Sequence, residues 1–357
     1  MPRITTKLIL QAYQRNPLLP LLLKECRTLD SAKNELRWLR DRALLICGPR
    51  PILRKHRTSR HALGWRRLLR SMCLSRAKGV PLQYILGDQP FGDLDIQCTK
   101  GVLIPRHETE AITIRAADLI LAGLRHAHGN DQSPLRIIDL CTGTGCIPLL
   151  LHALLSPHCP KLSITGIDIN TAAIKLARNN IRRNVSLGLL SERALDEVEF
   201  QKSNVLEYGH GGFPGKLDLY GTPALAPRYD ILISNPPYVS PREYYGGTTS
   251  RSTRIFEPKA ALVPPESALT SMICSVYLRQ EDVFYHHMAF LVSSFQVRLA
   301  VFECGNRPQA LRVAAFCRHV LTKGSTLGQV KVDVWSVNGF DMGPSAVFVH
   351  INMSSGV

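Results

Sequence analysis

The sequence lacks the features that mark several large classes of protein. None of its apolar runs reaches the ~18 residues that a membrane-spanning helix needs, so we expect no membrane segment. Its ten cysteines include no C-x-x-C pair and no Cys/His spacing typical of a metal site, which predicts reduced thiols and no bound metal. With 45% apolar and 20% charged residues, the composition excludes a disordered or fibrous chain. A length of 357 residues predicts two domains, or one large domain with an appendage.

Acidic residues are scarce in one part of the chain. Residues 1–80 hold 19 Lys and Arg against 4 Asp and Glu, whereas residues 81–357 hold 25 against 24. Such a basic segment indicates an anionic partner (nucleic acid, an RNA-bound complex or a membrane surface) or, alternatively, a solvated helical face. The first 24 residues contain four basic residues and no acidic one, which is typical of a mitochondrial targeting segment. The alternative is that they form the first helix of a domain.

Two segments precede the larger part of the chain. Helical apolar spacing predicts a small basic helical domain over residues 1–80. Residues 81–105 alternate two short β-prone pieces, Leu94–Gln97 and Val102–Ile104, with Gly, Pro and Asp turns, which predicts a β-hairpin linker. Residues 106–357 then form the predicted large domain.

Strand and helix signals alternate through this large domain. The predicted strands lie at 136–140, 163–169, 198–204, 229–235, 297–304, 330–337 and 346–352. Because the first strands are apolar throughout and alternate with helices, they predict a parallel sheet that is covered on both faces. The last two strands follow each other without a helix, which predicts an antiparallel hairpin at the edge of that sheet.

A glycine-rich turn follows the first predicted strand in the segment IIDLCTGTG, residues 137–145. A strand that ends at Asp139, a turn with Gly143 and Gly145, and then a helix let backbone amides approach a ligand at the carboxyl end of a sheet. The dinucleotide pattern G-x-G-x-x-G is broken by Pro148, which argues against a nicotinamide cofactor. The pattern D-x-x-x-G-x-G resembles the loop that binds S-adenosylmethionine (SAM) in class I methyltransferases. A simple turn is the alternative.

Asp168 ends the second predicted strand and precedes a helix. At this position an acidic residue accepts hydrogen bonds from ribose hydroxyls in dinucleotide-type sheets. The alternative is that Asp168 caps the helix, but Asn170 is already placed to do so. Asp168 is therefore predicted to contact the ribose of a nucleoside cofactor.

The most specific motif is ISNPPYVS, residues 233–240, which follows an apolar strand. Two consecutive prolines fix φ and remove two N–H groups, so the carbonyl of Pro236 is held rigidly. The Asn235 side-chain oxygen and this carbonyl form two acceptors for one NH₂ group, which aims the nitrogen as an attack on a methyl sulfonium requires. Tyr238 offers an aromatic face to a planar amide or base. A proline turn without chemistry is the alternative.

Several segments together resemble one family. They are PLQYILGDQPFGDLDIQCTKGVLIPRHETE (81–110), the glycine-rich loop, Asp168, NPPY, FEPKAAL (256–262) and FECGNRPQ (302–309), in this order. The set is similar to the HemK/PrmC family of protein-(glutamine N5) methyltransferases, and the opening MPRI resembles its fungal mitochondrial branch. The resemblance implies an α/β class I SAM-dependent methyltransferase fold, with a seven-stranded, mostly parallel sheet and a small N-terminal helical domain.

The resemblance also implies the activity and the residues that carry it. The expected enzyme uses SAM to methylate the side-chain amide of the glutamine in the Gly-Gly-Gln loop of class I peptide release factors. The implied cofactor-binding residues are Asp139, Thr142, Gly143, Gly145, Asp168, Asn204 and Asn235. The glutamine amide would be held by Asn235, Pro236, Pro237 and Tyr238, with Asn235, Pro236 and Tyr238 as the catalytic set. The wall facing that amide would consist of Leu103, Arg106, Glu108 and Glu110.

The chain departs from the family pattern at several places. Cys141 stands where the SAM loop usually has a further glycine, and His107 stands in the motif LIPR-x-ETE where the family usually has proline or a bulky residue. The stretch 263–288 is longer than the family pattern, which indicates an insertion, and residues 46–62 are similarly unusual. Neither stretch includes a residue assigned to the site.

Partners and alternative functions follow from the same features. The expected partner is a mitochondrial class I release factor, with ribosome or RNA proximity through the basic N-terminal domain, no membrane, and a monomeric state. The predicted location is mitochondrial, with the cytoplasm as the alternative. A DNA adenine or RNA guanine methyltransferase also fits NPPY, although no separate target-recognition domain is present and the basic charge lies off the catalytic domain. A non-catalytic RNA- or ribosome-associated module of the same fold is the third alternative, which the intact NPPY disfavours.

Overall fold

The computed structural model describes residues 3–48, 64–126, 133–207, 228–267, 279–323, 329–337 and 343–352. They form two compact units. One unit runs to Asp88 and includes Ser250–Phe256, and the other comprises Gln89–Thr249 and Glu257–Val357. Among the described helices, none is long and apolar enough to cross a membrane. The division into 1–80, 81–105 and 106–357 stays a prediction.

The first unit is helical. Its helices are α1 (Thr6–Arg15), α2 (Leu19–Cys26), α3 (Leu29–Cys47), α4 (Trp65–Ala77), α5 (Leu82–Leu86) and α11 (Arg251–Phe256). Thr5 and Thr28 are the N-caps of α1 and α3, because each hydroxyl accepts a backbone N–H of the first turn. The helical apolar spacing brings Leu22, Leu23 and Leu39 into a fully buried core.

A buried ion pair joins α3 and α4 in this helical unit, and several other basic residues face solvent. The Glu35 carboxylate accepts two hydrogen bonds from Arg76, at 2.8 Å from Nε and 2.9 Å from Nη2. Paired bonds of this kind offset part of the desolvation that burial imposes on both charges. The exposed arginines of α3 and α4 include Arg37, Arg40, Arg67 and Arg70. The basic charge predicted for this segment therefore has a solvent-facing part.

The second unit is built on a seven-stranded sheet. Its strands are β3 (Leu135–Leu140), β4 (Leu162–Asp168), β5 (Val198–Lys202), β6 (Ile231–Ser234), β7 (Leu299–Cys304), β8 (Gln329–Ser336) and β9 (Ser345–Asn352). Their spatial order is β5-β4-β3-β6-β7-β9-β8, and all pairs are parallel except those that β9 makes with β7 and β8. The predicted strands, the parallel pairing and the antiparallel edge hairpin are confirmed. Because the strand order reverses between β3 and β6, a crevice opens at their carboxyl ends.

Helices cover both faces of this sheet. They are α6 (His107–His126), α7 (Cys146–Leu155), α8 (Thr171–Ser186), α9 (Ala194–Glu197), α10 (Pro241–Tyr245), α12 (Val283–Ser294) and α13 (Arg307–Lys323). Ile112 of α6 and Leu149 of α7 belong to the core on one face, and Met288 of α12 and Ala314 of α13 belong to the core on the other. The stretch 263–288, which we read as an insertion, contains the start of α12, and its residues 268–278 lie outside the described part.

A two-stranded sheet of β1 (Asp88–Phe91) and β2 (Leu94–Gln97) supplies the predicted hairpin. The prediction that Val102–Ile104 is its second strand is wrong. The backbone N–H of Val102 closes a turn on Thr99, and that of Ile104 donates to the Glu257 carboxylate, so neither is available for a strand ladder.

Two asparagines of α8 bond the backbone of β2. Asn184 Oδ1 accepts the Asp95 N–H at 2.9 Å, and Asn180 Oδ1 accepts the Gln97 N–H at 2.8 Å. Both asparagines are fully buried. Their amides replace the partners that another strand would give to this edge of β2, which secures the hairpin on the second unit.

Candidate active site

The turn after β3 presents its backbone to open space. Gly143 and Gly145 have positive φ angles of 55° and 79°, and Cys141 has one of 67°. A Cβ on Gly145 would lie 2.7 Å from the Phe200 ring and 2.9 Å from Ala177, so only glycine fits there. A Cβ on Gly143 would meet nothing within 4 Å. Gly145 therefore allows α7 to start close to the sheet, whereas Gly143 leaves room for a ligand.

Asp168 ends β4 beside this turn. Its Oδ2 accepts the Gly143 N–H at 2.9 Å, and its Oδ1 accepts the Asn170 N–H at 2.8 Å. Each carboxylate oxygen keeps a further lone pair, which a hydroxyl can use. Burial raises the pKa of Asp168, and the backbone N–H groups of Asn170, Gly143 and Ile169 oppose that rise. Asn170 is the N-cap of α8, as predicted, since its side chain accepts the Ala172 N–H.

Two other predicted cofactor residues have different surroundings. Asp139 is fully buried near the end of β3, and burial raises its pKa well above the usual range. Asn204 uses both ends of its amide locally: Oδ1 accepts the Leu206 N–H at 3.1 Å, and Nδ2 donates to Glu207 Oε1 at 2.8 Å. Asn204 therefore stabilises the one-turn helix Val205–Glu207, and the cofactor contacts of Asp139 and Asn204 stay predictions.

Asn235 follows β6 at the crevice. Its Nδ2 donates to the hydroxyl oxygen of Thr109 at 3.0 Å. That bond uses the nitrogen end of the amide, and Oδ1 accepts no hydrogen bond from the described residues. The oxygen end is therefore available to accept a donor from a ligand. The carbonyl oxygen of Pro236, the second predicted acceptor, likewise accepts no hydrogen bond from the described residues.

Tyr238 is directed towards the protein interior. Its hydroxyl donates to Glu303 Oε1 at 3.4 Å, and its ring packs so closely on Gly305 that a Cβ there would lie 3.0 Å from Cδ2. The backbone carbonyl of Tyr238 accepts a hydrogen bond from Gln309 Nε2 at 3.3 Å. Tyr238 therefore anchors the turn in this structure, and stacking on a substrate stays a prediction.

Glu303 is a buried acid behind the turn, near the end of β7, with only 2% of its surface exposed. Burial raises the pKa of Glu303 to about 7, and the charge of Glu108 adds to the rise. The hydroxyls of Thr109 and Tyr238 and the charge of Arg106 act in the opposite direction. Burial and these contacts together leave Glu303 with a pKa near neutral pH, so the site contains a buried group that can change its charge there.

Gln309 of α13 connects this region to the end of the insertion. Its Oε1 accepts the Gly305 N–H at 2.9 Å, and its Nε2 donates to the Glu281 carbonyl oxygen at 3.1 Å and to Asp282 Oδ1 at 3.0 Å. Asp282 in turn accepts two hydrogen bonds from Arg312, at 2.8 and 3.0 Å. The motif FECGNRPQ therefore contributes a buried polar network beside the Asn-Pro-Pro-Tyr turn.

Arg106 is paired with a buried carboxylate. Its Nη2 lies 2.7 Å from Oε1 and 2.8 Å from Oε2 of Glu257, which also accepts the Ile104 N–H at 3.2 Å. The Glu257 side chain is 2% exposed and that of Arg106 is 32% exposed. The ion pair connects the motifs LIPR-x-ETE and FEPKAAL, which are far apart in the sequence.

The crevice is a cavity of about 1660 Å³. The predicted site residues that line it are Leu103, Arg106, Thr142, Gly143, Asp168, Asn204, Asn235 and Pro237. Those that do not line it are Asp139, Gly145, Pro236, Tyr238, Glu108 and Glu110. Pockets for one small ligand usually measure ~300–1,000 Å³, so this cavity has room for a cofactor together with part of a substrate.

The residues present fit SAM. The open space above Gly143 can accept a ligand that approaches the backbone, and Asp168 has lone pairs for ribose hydroxyls. No group of three or more His, Cys, Asp or Glu suited to a metal ion occurs in the described part of the chain. The sheet order and this crevice together define a class I SAM-dependent methyltransferase.

Comparisons with known proteins specify the family. The chain is 35% identical over 299 residues to the mitochondrial MRF1 N(5)-glutamine methyltransferase MTQ1 of Saccharomyces cerevisiae, covering 81% of this chain and 76% of the relative. It is 35% identical over 319 residues to the probable MRF1 mitochondrial N(5)-glutamine methyltransferase mtq1 of Schizosaccharomyces pombe, covering 87% of each. The chain belongs to the HemK/PrmC family of release factor glutamine methyltransferases, in its fungal mitochondrial branch, and its cofactor is SAM.

Other relatives and solved structures match the chain over shorter stretches or with lower similarity. The release factor glutamine methyltransferase of Haemophilus influenzae is 30% identical over 220 residues, 58% of this chain and 63% of the relative. The solved N-terminal domain of human METTL16 in complex with SAH aligns with a TM-score of 0.41 and 16% identity over 80% of this chain and 83% of that one. This likeness is too weak to add to the assignment. No protein-family model matches the chain.

Four polar residues of the site had no role in the sequence prediction. They are Thr109, Glu257, Glu303 and Gln309, and each lies inside a motif that carries the family resemblance. What they share is a polar side chain at a position that the fold buries. The sequence did carry a signal for them, since each is a polar residue within a motif that also contains predicted site residues or family-specific residues. Their hydrogen-bond partners could not be predicted, because those partners are far away in the sequence.

Proposed function

We propose that this protein transfers the methyl group of SAM to the side-chain amide nitrogen of the glutamine in the Gly-Gly-Gln motif of a mitochondrial class I release factor. The observation that carries the proposal is Asn235, whose amide oxygen lacks a partner among the described residues and lies on the cavity that Gly143 and Asp168 also line. The names of the yeast relatives support a release factor glutamine as the methylated group.

The cofactor is held by the residues around the glycine-rich turn. Asp168 would accept hydrogen bonds from the ribose hydroxyls, Gly143 would give the cofactor access to the backbone, and Asn204 would lie near the adenine. Bound SAM supplies an electrophilic methyl group on a positively charged sulfur. The position of Thr142 in the lining supports a further contact with the cofactor.

The substrate amide is held by the Asn-Pro-Pro-Tyr turn. Asn235 Oδ1 and the Pro236 carbonyl accept its two N–H groups, which orients the nitrogen for an in-line attack. When bound, SAM would give up its methyl group to this nitrogen, with the sulfur–carbon bond breaking as the nitrogen–carbon bond forms, and the amide would then release its extra proton to water. Leu103 and Pro237 add apolar surface that keeps water from the reacting atoms. No general base is required, because positioning and desolvation do the work.

The test is transfer of a labelled methyl group from SAM to four acceptors. They are a mitochondrial class I release factor, the same factor with Gly-Gly-Ala in place of Gly-Gly-Gln, bulk DNA and bulk RNA. Label on the intact factor alone is expected. Equal label on the Gly-Gly-Ala variant would show that another residue is methylated, and label on nucleic acid alone would establish an exocyclic-amine methyltransferase instead.

We propose further that the basic helical unit contacts RNA or the ribosome near the release factor. The solvent-facing arginines of α3 and α4 support this, because clustered exposed cations attract phosphate. Replacing Arg37, Arg40, Arg67 and Arg70 by glutamine should raise KM for a ribosome-bound release factor severalfold at low salt and leave KM for a Gly-Gly-Gln peptide unchanged. An equal rise for both substrates would contradict a docking role.

The location and the oligomeric state complete the proposal. The basic first 24 residues and the mitochondrial names of the yeast relatives support import into mitochondria. Cell fractionation of the full chain, with a variant in which Arg3, Lys7 and Arg15 are replaced by glutamine, tests this. The wild type should sediment with mitochondria, and an unchanged distribution of the variant would argue against targeting by this segment. In an extract of those mitochondria, the protein should elute as a monomer in size-exclusion chromatography.

A further inference from the structure

The Asn235 side-chain amide can adopt two orientations that differ by an exchange of its oxygen and nitrogen ends. The two ends of a primary amide have nearly the same shape, but one donates hydrogen bonds and the other accepts them. If Nδ2 faced the glutamine amide, two donors would meet and the substrate would not be held. Something outside Asn235 must therefore select the orientation that presents Oδ1.

Thr109 is placed to make that selection. It lies in the first turn of α6 and is buried, and its Oγ1 accepts the Asn235 Nδ2–H at 3.0 Å. A hydroxyl has only one proton, so it acts as an obligate acceptor towards Asn235 only if that proton is engaged elsewhere. A second acceptor near Thr109 is thus required.

Glu303 meets this requirement. Its carboxylate is buried behind the turn, and Oε1 accepts the Tyr238 hydroxyl at 3.4 Å, whereas Oε2 is buried and accepts no hydrogen bond from the described residues. The nearby Thr109 hydroxyl lowers the pKa of Glu303, as expected of a donor that can serve this carboxylate. Above its pKa of about 7 the Glu303 carboxylate is ionised and offers only acceptor sites, so it draws the protons of both hydroxyls towards itself. Thr109 is then left with lone pairs for Asn235.

Resting on the proposed function, we infer that Thr109 and Glu303 are positioning residues that fix the amide of Asn235 with its oxygen towards the substrate. Neither residue needs to touch the reacting atoms. Asn235 Nδ2 donates to Thr109, and a Thr109 proton turned towards Glu303 keeps that donation in one direction, so the glutamine meets the oxygen end of the amide. Tyr238, held by the same carboxylate, fixes the other end of the turn.

The experiment compares Thr109→Val with Thr113→Val. Valine has the shape of threonine without the hydroxyl. Thr113 lies one turn further along α6, is fully buried, and donates only to the Thr109 carbonyl oxygen at 2.7 Å, so its replacement controls for loss of a buried hydroxyl in this helix. With a release factor as substrate, T109V should lower kcat roughly 10- to 100-fold, the size expected of a misplaced reactive group, while T113V should change it less than twofold.

Three readouts separate positioning from a structural role. The dissociation constant of SAM and the melting temperature of T109V should match those of T113V. Thr109→Ser should recover most of the lost kcat, because it restores the hydroxyl. Glu303→Gln keeps an amide oxygen that can accept the Tyr238 hydroxyl. It should therefore lower kcat through Thr109, and the double variant T109V/E303Q should be no slower than T109V alone, since both changes act on the same contact.

Contrary results are equally specific. A kcat of T109V equal to that of T113V would overturn the inference, and so would a double variant whose loss is the product of the single losses. A loss of SAM binding or of melting temperature in proportion to kcat would show that Thr109 is structural. Failure of the proposed function is distinguishable, because the wild type itself would then leave the release factor unlabelled.

Discussion

The two walls of the cavity are built in different ways. The cofactor wall, which comprises the turn 141–145 and Asp168, is held by backbone N–H donors: the Thr142 N–H donates to the Ile167 carbonyl oxygen at 2.8 Å, and the Gly143 N–H donates to Oδ2 of the Asp168 side chain at 2.9 Å. The substrate wall, which comprises Asn235–Tyr238 and 103–109, is held by side chains. Asn235 bonds Thr109, which is 126 positions away in the sequence, and Arg106 bonds Glu257, which is 151 positions away.

The difference explains what each wall tolerates. The cofactor wall depends on glycine at particular φ angles and on adjacent parallel strands, so its shape follows from the fold itself. The substrate wall depends on buried polar side chains from several elements, and removal of one leaves its partner unsatisfied at a cost of ~1–3 kcal/mol. We therefore expect changes in the two walls to affect different steps of the reaction.

The largest effect should come from Asn235→Ala. Loss of the acceptor oxygen removes the contact that holds the glutamine amide, and loss of one preorganised hydrogen-bonding group at a reacting centre typically lowers kcat ~10²–10³-fold. SAM binding, measured by calorimetry without a release factor, should change less than threefold. A parallel loss of SAM affinity would show that the walls are not separable.

The converse change, Asp168→Ala, should weaken SAM binding first. Loss of hydrogen bonds to a charged, buried acceptor costs ~1–3 kcal/mol, which corresponds to an increase of roughly 5- to 150-fold in the dissociation constant. At saturating SAM, kcat should recover to within about tenfold of the wild type. Asp168→Asn, which keeps one acceptor oxygen, should lose less affinity than the alanine variant. Normal SAM affinity in D168A would remove Asp168 from the cofactor wall.

The same difference explains how far the sequence could lead. The sheet, the glycine-rich turn, the ribose-side acid and the Asn-Pro-Pro-Tyr turn were predictable, because each depends on residues that are close together or on strand periodicity. The inward direction of Tyr238 was not, because it depends on Glu303 and Gly305, whose packing on the turn arises only in the folded chain. The same limit applies to Arg106. Its motif predicted a position in the substrate wall, but the sequence could not predict its ion pair with the buried Glu257, which lies far away in the chain.

Arg106→Ala tests whether the substrate wall is also a structural element. It would leave the Glu257 carboxylate buried without its cation, so the free energy of unfolding should fall by on the order of 1–3 kcal/mol in a denaturant titration. The matched control is Lys331→Ala, because Lys331 pairs with Asp333 across two largely exposed side chains, at 71% and 46% exposure. That variant should cost less than about 1 kcal/mol. Equal losses would mean that burial of Glu257 does not matter.

The most gradual expected effect is a pH dependence that arises from Glu303. Burial raises its pKa from 4.5 to about 7 in the folded protein, so between these values the folded state holds a proton that the unfolded state has released. The free energy of unfolding should therefore decrease as pH rises from 4.5 to 7, by at most about 1.4 kcal/mol per pH unit, and this contribution should be constant outside that window. Glu303→Gln should remove that slope in denaturant titrations at pH 5, 6 and 7. If the slope persisted, it would belong to Asp139 or Asp168, whose pKa values burial also raises, and the pH-sensitive group would lie on the cofactor side of the cavity.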